Sequence, residues 1–487
     1  MDATSEILKE RLEKIKALQK KGVSLYGGKF EVSDTTKGVL DSFAEGKEVV
    51  LAGRLMAKRG HGKSTFADLK DETGRIQIYL KLDTVGEASY ELFTLLDLGD
   101  IIGIKGTLFT SKMGEKSVKV TEFKLLSKIV QVLPEKWHGL RDVELRYRHR
   151  YVDLIVNDQV RETFKKRSSI IKKIRQFLDT RGFMEVETPM MQPIPGGARA
   201  RPFVTHHHAL HTDLFLRIAP ELYLKRLLVG GFNKVYEINR NFRNEGISIK
   251  HNPEFTMIEI YEAYADYVDM MNLTETLVSE LANEIAGGYE IPFGEFKINF
   301  KRPWRRVPFY DILNEKSKMD WKNGNVRELA KRAGIPVAKD TEDVDLLNEA
   351  FDRFVQSDLI DPTFVTDFPA ITTPLAKRKE DDPTLVYRFE LYVAKMELAN
   401  AFSELNDAIE QRERLMSQKE VIGDHKEVDE DFLLAMEYGM PPAGGLGIGI
   451  DRLVMLLTDS QSIRDVILFP QLRPEKDQKE KDQKDHE

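Results

Sequence analysis

The stretch Phe255-Thr256-Met257-Ile258-Glu259-Ile260-Tyr261 constrains this chain more than any other. Side chains alternate along an extended strand, so Phe255, Met257, Glu259 and Tyr261 share one face and Thr256, Ile258 and Ile260 the other. A glutamate set among apolar neighbours is costly unless a partner meets it. The preceding segment alternates in the same way, with Glu237, Asn239, Asn241 and Arg243 on one face, and the polar loop Asn244–Lys250 joins the two. The pattern predicts an antiparallel pair with one face in a core and the other carrying charge. A structural ion pair between the strands is one reading of that charge. A polar pocket open to a charged ligand is the other, and the density of charge on one face favours it.

Two further segments belong with this pair. Gly444-Gly445-Leu446-Gly447-Ile448-Gly449-Ile450-Asp451-Arg452 runs into the apolar Leu453–Leu457. Alternating glycines in a strand admit close approach to the backbone, and an arginine at the following helix start reaches phosphates. The glycines do not have dinucleotide-binding spacing, and no Gly-Lys-Ser/Thr follows them. In the segment Glu390–Asp407, Glu390 and Glu397 are seven residues apart, near enough on a helix or a strand-turn for one divalent cation. Oxygen ligands suit magnesium, but spacing alone does not separate such a site from a solvated acidic pair. His206, His207, His208 and His211 invite a metal reading, yet cysteine is absent and no regular acidic partner accompanies them. Gly196-Gly197, after Pro193 and Pro195, reads as a mobile loop.

The rest of the chain divides by pattern. Residues 1–47 form an N-terminal extension with an amphipathic helix over 5–21, where Leu8, Leu12, Ile15 and Leu18 recur at helical spacing. Over 48–132, strand candidates at Glu48–Arg59, Thr65–Lys70, Arg75–Lys81, Asp100–Ser111 and Ser117–Leu126 surround one helix at Glu87–Leu96. Five strands with a helix between the third and fourth is the order of an OB-fold. Arg54, Lys58, Arg59 and Lys63 lie on a stretch without acids, beside the aromatic Phe66 and Tyr79. That composition fits single-stranded nucleic acid as well as it fits a solvated loop over core aromatics. Residues 133–150 read as a linker, 151–473 as a larger domain and 474–487 as a charged, disordered tail. In the larger domain a helix carries Ile170, Ile171, Ile174, Phe177 and Leu178 on one stripe and ends at Gly182, and the strand Phe183–Thr188 stops at Pro189. Helices and strands then mix without βαβ alternation, so the fold class is α+β, an antiparallel sheet with helices around it.

Composition excludes several classes. With no cysteine there is no disulfide, thiol nucleophile or thiolate metal site, which suits a reducing cytoplasmic location. A formal net charge of −7 argues against nonspecific coating of nucleic acid, though not against a local basic face. The N-terminus has no apolar signal region, and no apolar run approaches the ~18 residues of a membrane helix.

The runs FRNEGISIKHNPEFT and GLGIGIDR, with the helix 166–181 followed by GFMEVETPMM, resemble the three signature motifs of class II aminoacyl-tRNA synthetases. The N-terminal barrel is similar to the anticodon-binding domain of the aspartate, asparagine and lysine subgroup. RIAPELYLKRL and NAFSELND look like its lysine member, because Glu221 stands where the other two are expected to have glutamine. The resemblance spans nearly all of residues 5–473. It implies a homodimer that activates L-lysine with ATP and Mg2+ and transfers it to tRNA(Lys). Arg243 would hold the α-phosphate and the lysine carboxylate, and Glu245, His251 and Asn252 would contact ATP. Phe255 and Arg452 would sandwich adenine, and Glu390 and Glu397 would bind magnesium. Gly197 and Glu221 would receive the α-amino group; Asn400, Phe402, Glu404, Glu259 and Tyr261 would build the side-chain pocket, with Glu404 facing the ε-ammonium. Arg59, Phe66, Gln77 and Glu115 match positions that read the anticodon. The chain departs from the family's pattern at Ala394, Lys395, Ala399 and Ala401, where glycines are common, so the backbone near Asn400 is where the family's shape need not hold. Glu221 and Glu404 would repel an anionic substrate, against an aspartate or asparagine enzyme; the intact charged set argues against a catalytically dead RNA-binding paralogue, and the barrel against a protein-lysylating one.

Overall fold

The computed structural model describes residues 3–134, 142–422 and 428–474, in two compact units, 1–141 and 142–487. The proposed charged tail lies, apart from Pro474, outside the described residues.

In the first unit, strands Glu48–His61, Ser64–Lys70, Arg75–Lys81, Ile101–Thr110 and Lys116–Ser127 close into a barrel. The long first strand serves both neighbours: Glu48–Arg54 pairs with the fourth strand and Arg54–His61 with the second, with a bulge at Leu55–Ala57. The fifth strand lies parallel to the third and antiparallel to the fourth, which completes the ring. Asp71 organises the turn before the third strand by accepting from the amides of Thr73 and Gly74. The helix Glu87–Thr94 falls between the third and fourth strands, as in an OB-fold. An N-terminal helix, Ala3–Lys20, packs Leu18 and Ile15 against the barrel core, but Leu12 stays 43% exposed. The predicted stripe is therefore used only at its C-terminal end.

The second unit is built on a sheet of eight strands, in the order Arg305–Pro308, Thr363–Pro369, Leu385–Val393, Met396–Ser403, Ala443–Gly449, Glu254–Ala263, Lys234–Phe242, Met184–Glu185. Only the two edge pairings are parallel. The predicted strand Phe183–Thr188 shortens to Met184–Glu185 at the sheet edge, where only Val186 adds one more bond to Tyr236 before Pro189. The helices Asp158–Asp179, Tyr267–Ala286 and Ile450–Leu457 cover one face, burying Ile170, Ile174, Ile258, Ile260, Leu391, Ala399 and Ile448 in one core. Asp451 joins the start of the last helix to the sheet: one oxygen accepts from Thr256 N at 2.7 Å, and the other meets Arg167 at 2.6 Å. Three helices within 309–354 make a second small core against the strand Thr363–Pro369.

The hairpin Leu385–Val393/Met396–Ser403 decides what faces the open side. Its turn is Ala394-Lys395, with φ of +49° and +63°, the pair of left-handed residues that a two-residue hairpin turn requires. Bonds from their amides to Ile360 and Leu359 hold that turn in place. The register then slips between Leu391 and Tyr392, so Glu390 opposes Asn400 while Tyr392 opposes Glu397. Strict alternation would send Glu397 and Asn400 to opposite faces. The slip turns both Leu398 and Ala399 into the core and leaves Glu397 and Asn400 on the open side. Ala399 and Ala401 are buried in the same core, and of the two only Ala399 also borders the cavity.

A β-branched residue tolerates the left-handed region poorly. Ala394→Val is expected to lower stability by about 1–2 kcal/mol or more, whereas Ala394→Gly stays within ~1 kcal/mol of the parent. Urea unfolding of the full chain checks this, and equal midpoints for the two variants would contradict the assigned turn.

Candidate functional site

The open face of the eight-stranded sheet forms the floor of a cavity of about 1180 Å3, more than one small ligand needs. Its walls separate by chemistry. At one end stand Arg243, Glu245, His251, Asn252, Phe255 and Arg452, with Glu397. At the other stand Gly197, Glu221, Glu259, Tyr261, Asn400, Phe402 and Glu404. Every residue that the sequence placed in the catalytic domain lines this cavity except Glu390, which is buried behind its wall.

At the first end, Arg243 leaves the strand Lys234–Phe242 with its guanidinium 5.0 Å from the Phe255 ring. Its Nε is enclosed and donates to nothing, and burial pulls its pKa down against the attraction of Glu397 and Glu245. An enclosed cation with an idle donor is suited to an incoming anion. Arg452 donates to the Glu397 carbonyl and lies 3.6 Å from its carboxylate. His251 is held by Ser248 at 3.0 Å, and burial, then Arg452, lowers its pKa, so it stays neutral. Asn252 is fixed by bonds to Glu254 and Gln471, which leaves its position well defined. Glu390 accepts from Arg388 and Tyr392, and burial raises its pKa, with Glu397 adding repulsion. Glu397 faces the cavity and Glu390 lies on the adjacent strand behind it, so a magnesium ion held by both would require Glu390 to turn from Arg388 and Tyr392. Among the described residues no group of three or more such ligands occurs.

The second end is an enclosure of charge. Glu259 and Tyr261 sit on the strand Glu254–Ala263, and the tyrosine hydroxyl donates to Glu259 at 3.2 Å. Burial, then Glu221, holds Glu259 well above the usual carboxylate range. Glu404 follows the strand Met396–Ser403 and is 1% exposed. Its carboxylate lies against the backbone of Gly445, where a Cβ would come within 1.9 Å of Oε1. This close approach is what the alternating glycines make possible. Gly197, at φ +84°, sits against Glu221, where a Cβ would meet Glu221 Cβ at 3.0 Å, so the glycine pair is packed on the helix Glu221–Val229 rather than being a plain connection. Arg199 ties the same loop to Glu342 and Asp345.

Sequence reasoning missed several members. Arg388 bonds Asn400 Oδ1 at 3.1 Å and covers Phe402; its place two residues before Glu390 was the available signal. Lys225, one helical turn after Glu221, meets both Glu221 and Glu404. Glu237 turns out to be a structural partner, paired with Arg217 at 2.6 Å and Thr188 at 2.7 Å. The four histidines lie on and beside the exposed hairpin Val204–His207/Thr212–Leu216, where His206 pairs with Asp213.

In the barrel unit, Phe66, Tyr79 and Phe109 form a half-exposed aromatic row with centroids 4.6 and 5.8 Å apart. Gln77 sits beside it, donating to Glu115 at 2.6 Å and accepting from Ser117 at 2.9 Å. Arg59 is exposed, 3.6 Å from Asp68. Two of the four cations read as nucleic-acid contacts are spent elsewhere. Lys58 turns inward to three carbonyls, of Phe93, Thr94 and Leu96, at the end of the helix, and burial lowers its pKa to about 8. Arg54 donates to Gly99 O.

A family profile described as tRNA synthetases class II (D, K and N) matches residues 142–473. The chain belongs to this family. A second profile, an OB-fold nucleic acid binding domain, matches residues 49–126 of the barrel. The lysine–tRNA ligase of Pelotomaculum thermopropionicum is 57% identical over 482 residues, covering 96% of this chain and 95% of that one. The lysine–tRNA ligase of Carboxydothermus hydrogenoformans is 56% identical, covering 96% and 98%, and that of Halalkalibacterium halodurans 53%, covering 96% and 97%.

The Gly445 contact yields a direct test. Gly445→Ala displaces the Glu404 carboxylate, and an ångström of misplacement costs about 10²-fold in rate. Amino-acid-dependent ATP–pyrophosphate exchange should fall by that order while the KM for ATP stays within about twofold. Parental exchange in this variant would mean that the carboxylate does not act where it stands.

Proposed function

We propose that this chain is an ATP-dependent lysine–tRNA ligase, which forms lysyl-adenylate and passes lysine to the 3′ end of tRNA(Lys). The observation that carries the reading is the pairing, in one cavity, of an enclosed Arg243 with an idle donor and a dry carboxylate, Glu404, pressed on Gly445. The first calls for an anion; the second, which Lys225 meets without a hydrogen bond, leaves both oxygens for a further donor. ATP and lysine supply them, and the relatives, more than half identical over nearly the whole chain, carry that activity in their names.

In this reading the lysine carboxylate attacks the α-phosphorus of ATP and pyrophosphate leaves. The terminal ribose hydroxyl of tRNA then attacks the adenylate carbonyl, and AMP leaves. No side chain acts as nucleophile. Arg243 neutralises the charge that builds on the α-phosphate and aligns the carboxylate. Phe255 and Arg452 take the adenine between them, and Glu245, His251 and Asn252 fix the nucleotide. Glu390 and Glu397 would hold magnesium, which would supply further neutralisation of the phosphates. Gly197 and Glu221 take the α-amino group. Glu259, Tyr261, Asn400 and Phe402 enclose the aliphatic stem, and Glu404 meets the ε-ammonium. A neutral analogue would leave Glu404 facing Lys225 alone, with neither oxygen hydrogen-bonded, so selectivity needs no editing domain.

The barrel's aromatic row, with Gln77, Glu115 and Arg59, offers stacking faces and base-edge partners to the anticodon. The homodimer is supported by Met184, Met190 and Met191, 41–55% exposed just after the long helix Asp158–Asp179; light scattering decides it, and a monomer would remove it. Among the described residues no helix is long and apolar enough to cross a membrane, and a role in translation supports a cytoplasmic location.

Pyrophosphate exchange across the amino acids tests the whole. Lysine alone should support it, and Arg243→Ala should lose about 10²–10³-fold. Phe66→Ala should leave exchange intact and lower tRNA charging by about 10-fold or more, as loss of one stacked base implies. Exchange with another amino acid, or a parental rate in Arg243→Ala, would overturn the reading.

A further inference from the structure

Lys225 has no part in the scheme above, yet it stands at its centre. Its Nζ lies 2.7 Å from Glu221 and 2.5 Å from Glu404, the two carboxylates assigned to the two amino groups of the substrate. The ammonium is wholly enclosed. It donates to Glu221 in good geometry but approaches Glu404 off the hydrogen-bonding direction, so both Glu404 oxygens remain without a well-placed donor. The three groups come from separate places: Glu221 and Lys225 from one turn of the helix Glu221–Val229, Glu404 from beyond the strand Met396–Ser403. Glu221 and Glu404 line the cavity, while Lys225 sits behind them.

Charge counting gives this arrangement a purpose. Two carboxylates and one ammonium sum to −1. Free lysine, with two ammonium groups and a carboxylate, sums to +1 at neutral pH. Without Lys225 the enclosure would hold −2, and two carboxylates sharing an apolar site retain a proton between them. A protonated Glu404 is a poor partner for an ε-ammonium. We propose that Lys225 is a specificity-determining positioning residue, whose ammonium bridges Glu221 and Glu404 and keeps both as anions aimed at the two ends of the substrate. This rests on the lysine-activating reading.

The remaining titratable groups at the enclosure do not substitute for it. On the strand Glu254–Ala263, Glu259 and Tyr261 contribute no positive charge, and both are held toward their neutral forms by burial and by Glu221. On the strand Lys234–Phe242, Glu237 is already engaged with Arg217. The strand Ala443–Gly449 offers only the Gly445 backbone to Glu404. From the segment after Glu404, Gln411 is buried and uncharged. Burial, with Glu221 beside it, pushes the Glu404 carboxyl up, and Lys225 is the cation pulling it down; the two carboxylates in turn push Lys225 up.

The sign follows. Lysine kcat/KM falls as pH drops through the Glu404 titration, and removing Lys225 moves that acid limb to higher pH. Lysine-dependent pyrophosphate exchange is measured against pH for the parent, Lys225→Met, Glu221→Gln and Lys225→Met/Glu221→Gln. Lys225→Met should lose about 10²-fold or more in lysine kcat/KM at neutral pH, with the KM for ATP within about twofold and the acid limb raised by about one pH unit or more. Lys225→Met strains folding by leaving two facing carboxylates; the double variant removes one charge of each sign and carries the same test. Its acid limb should lie above that of Glu221→Gln alone. A purely structural lysine would change stability and leave the limb where it was. An unmoved limb in both comparisons, with an active parent, overturns this inference alone. A parent that does not exchange with lysine overturns the reading beneath it.

Discussion

Alternation along the central strands is the constraint from which the rest of the second unit follows. One face of the sheet must be apolar to hold the helices Asp158–Asp179, Tyr267–Ala286 and Ile450–Leu457. The other is then free to carry charge, on a floor whose backbone is already hydrogen-bonded. Phe255, Met257, Glu259 and Tyr261 stand on that floor because Thr256, Ile258 and Ile260 occupy the core side. The neighbouring hairpin could not contribute both Glu397 and Asn400 under the same rule. The register slip at Leu391–Tyr392 breaks the rule once and brings both to the open side.

Water exclusion then determines how the cavity works. Its ATP end is open to solvent at Glu245 and His251, where charge is cheap and phosphate brings its own. Its amino-acid end is dry, so each charge there needs a counter-charge at contact distance. The contrast gives one cavity two modes of recognition: a broad electrostatic one for the nucleotide, and a close, directional one for the amino acid.

Much of this is legible in the sequence alone. The alternating strand over Phe255–Tyr261, the glycines of Gly444–Gly449 and the order of the five barrel strands are local patterns, and local patterns survive in a sequence. What was not legible depends on groups far apart in the chain. Lys58 lies in a cationic run, but its fate was set by the carbonyls at Phe93, Thr94 and Leu96. Lys225 could be placed next to Glu221 by helical spacing, yet nothing local ties it to Glu404. The slip at Leu391–Tyr392 is a choice of register, which alternation alone leaves open. Glu237 fits a floor residue or a structural ion pair by its pattern alone, and only its distant partners Arg217 and Thr188 decide for the second.

The seat of the Glu404 carboxylate on Gly445 also orders the changes open to this protein over generations. No side chain fits at position 445 while Glu404 is in place, since even a methyl would collide with it. Losing Glu404 first leaves the enclosed Lys225 with one carboxylate instead of two. A lineage drifting toward a different amino acid must therefore alter Lys225 with Glu404, and shift the Tyr261 ring as well, before position 445 becomes free to vary. Single steps meet a dead end from either direction, and the pocket is kept as it is by the sequence in which its parts could be exchanged.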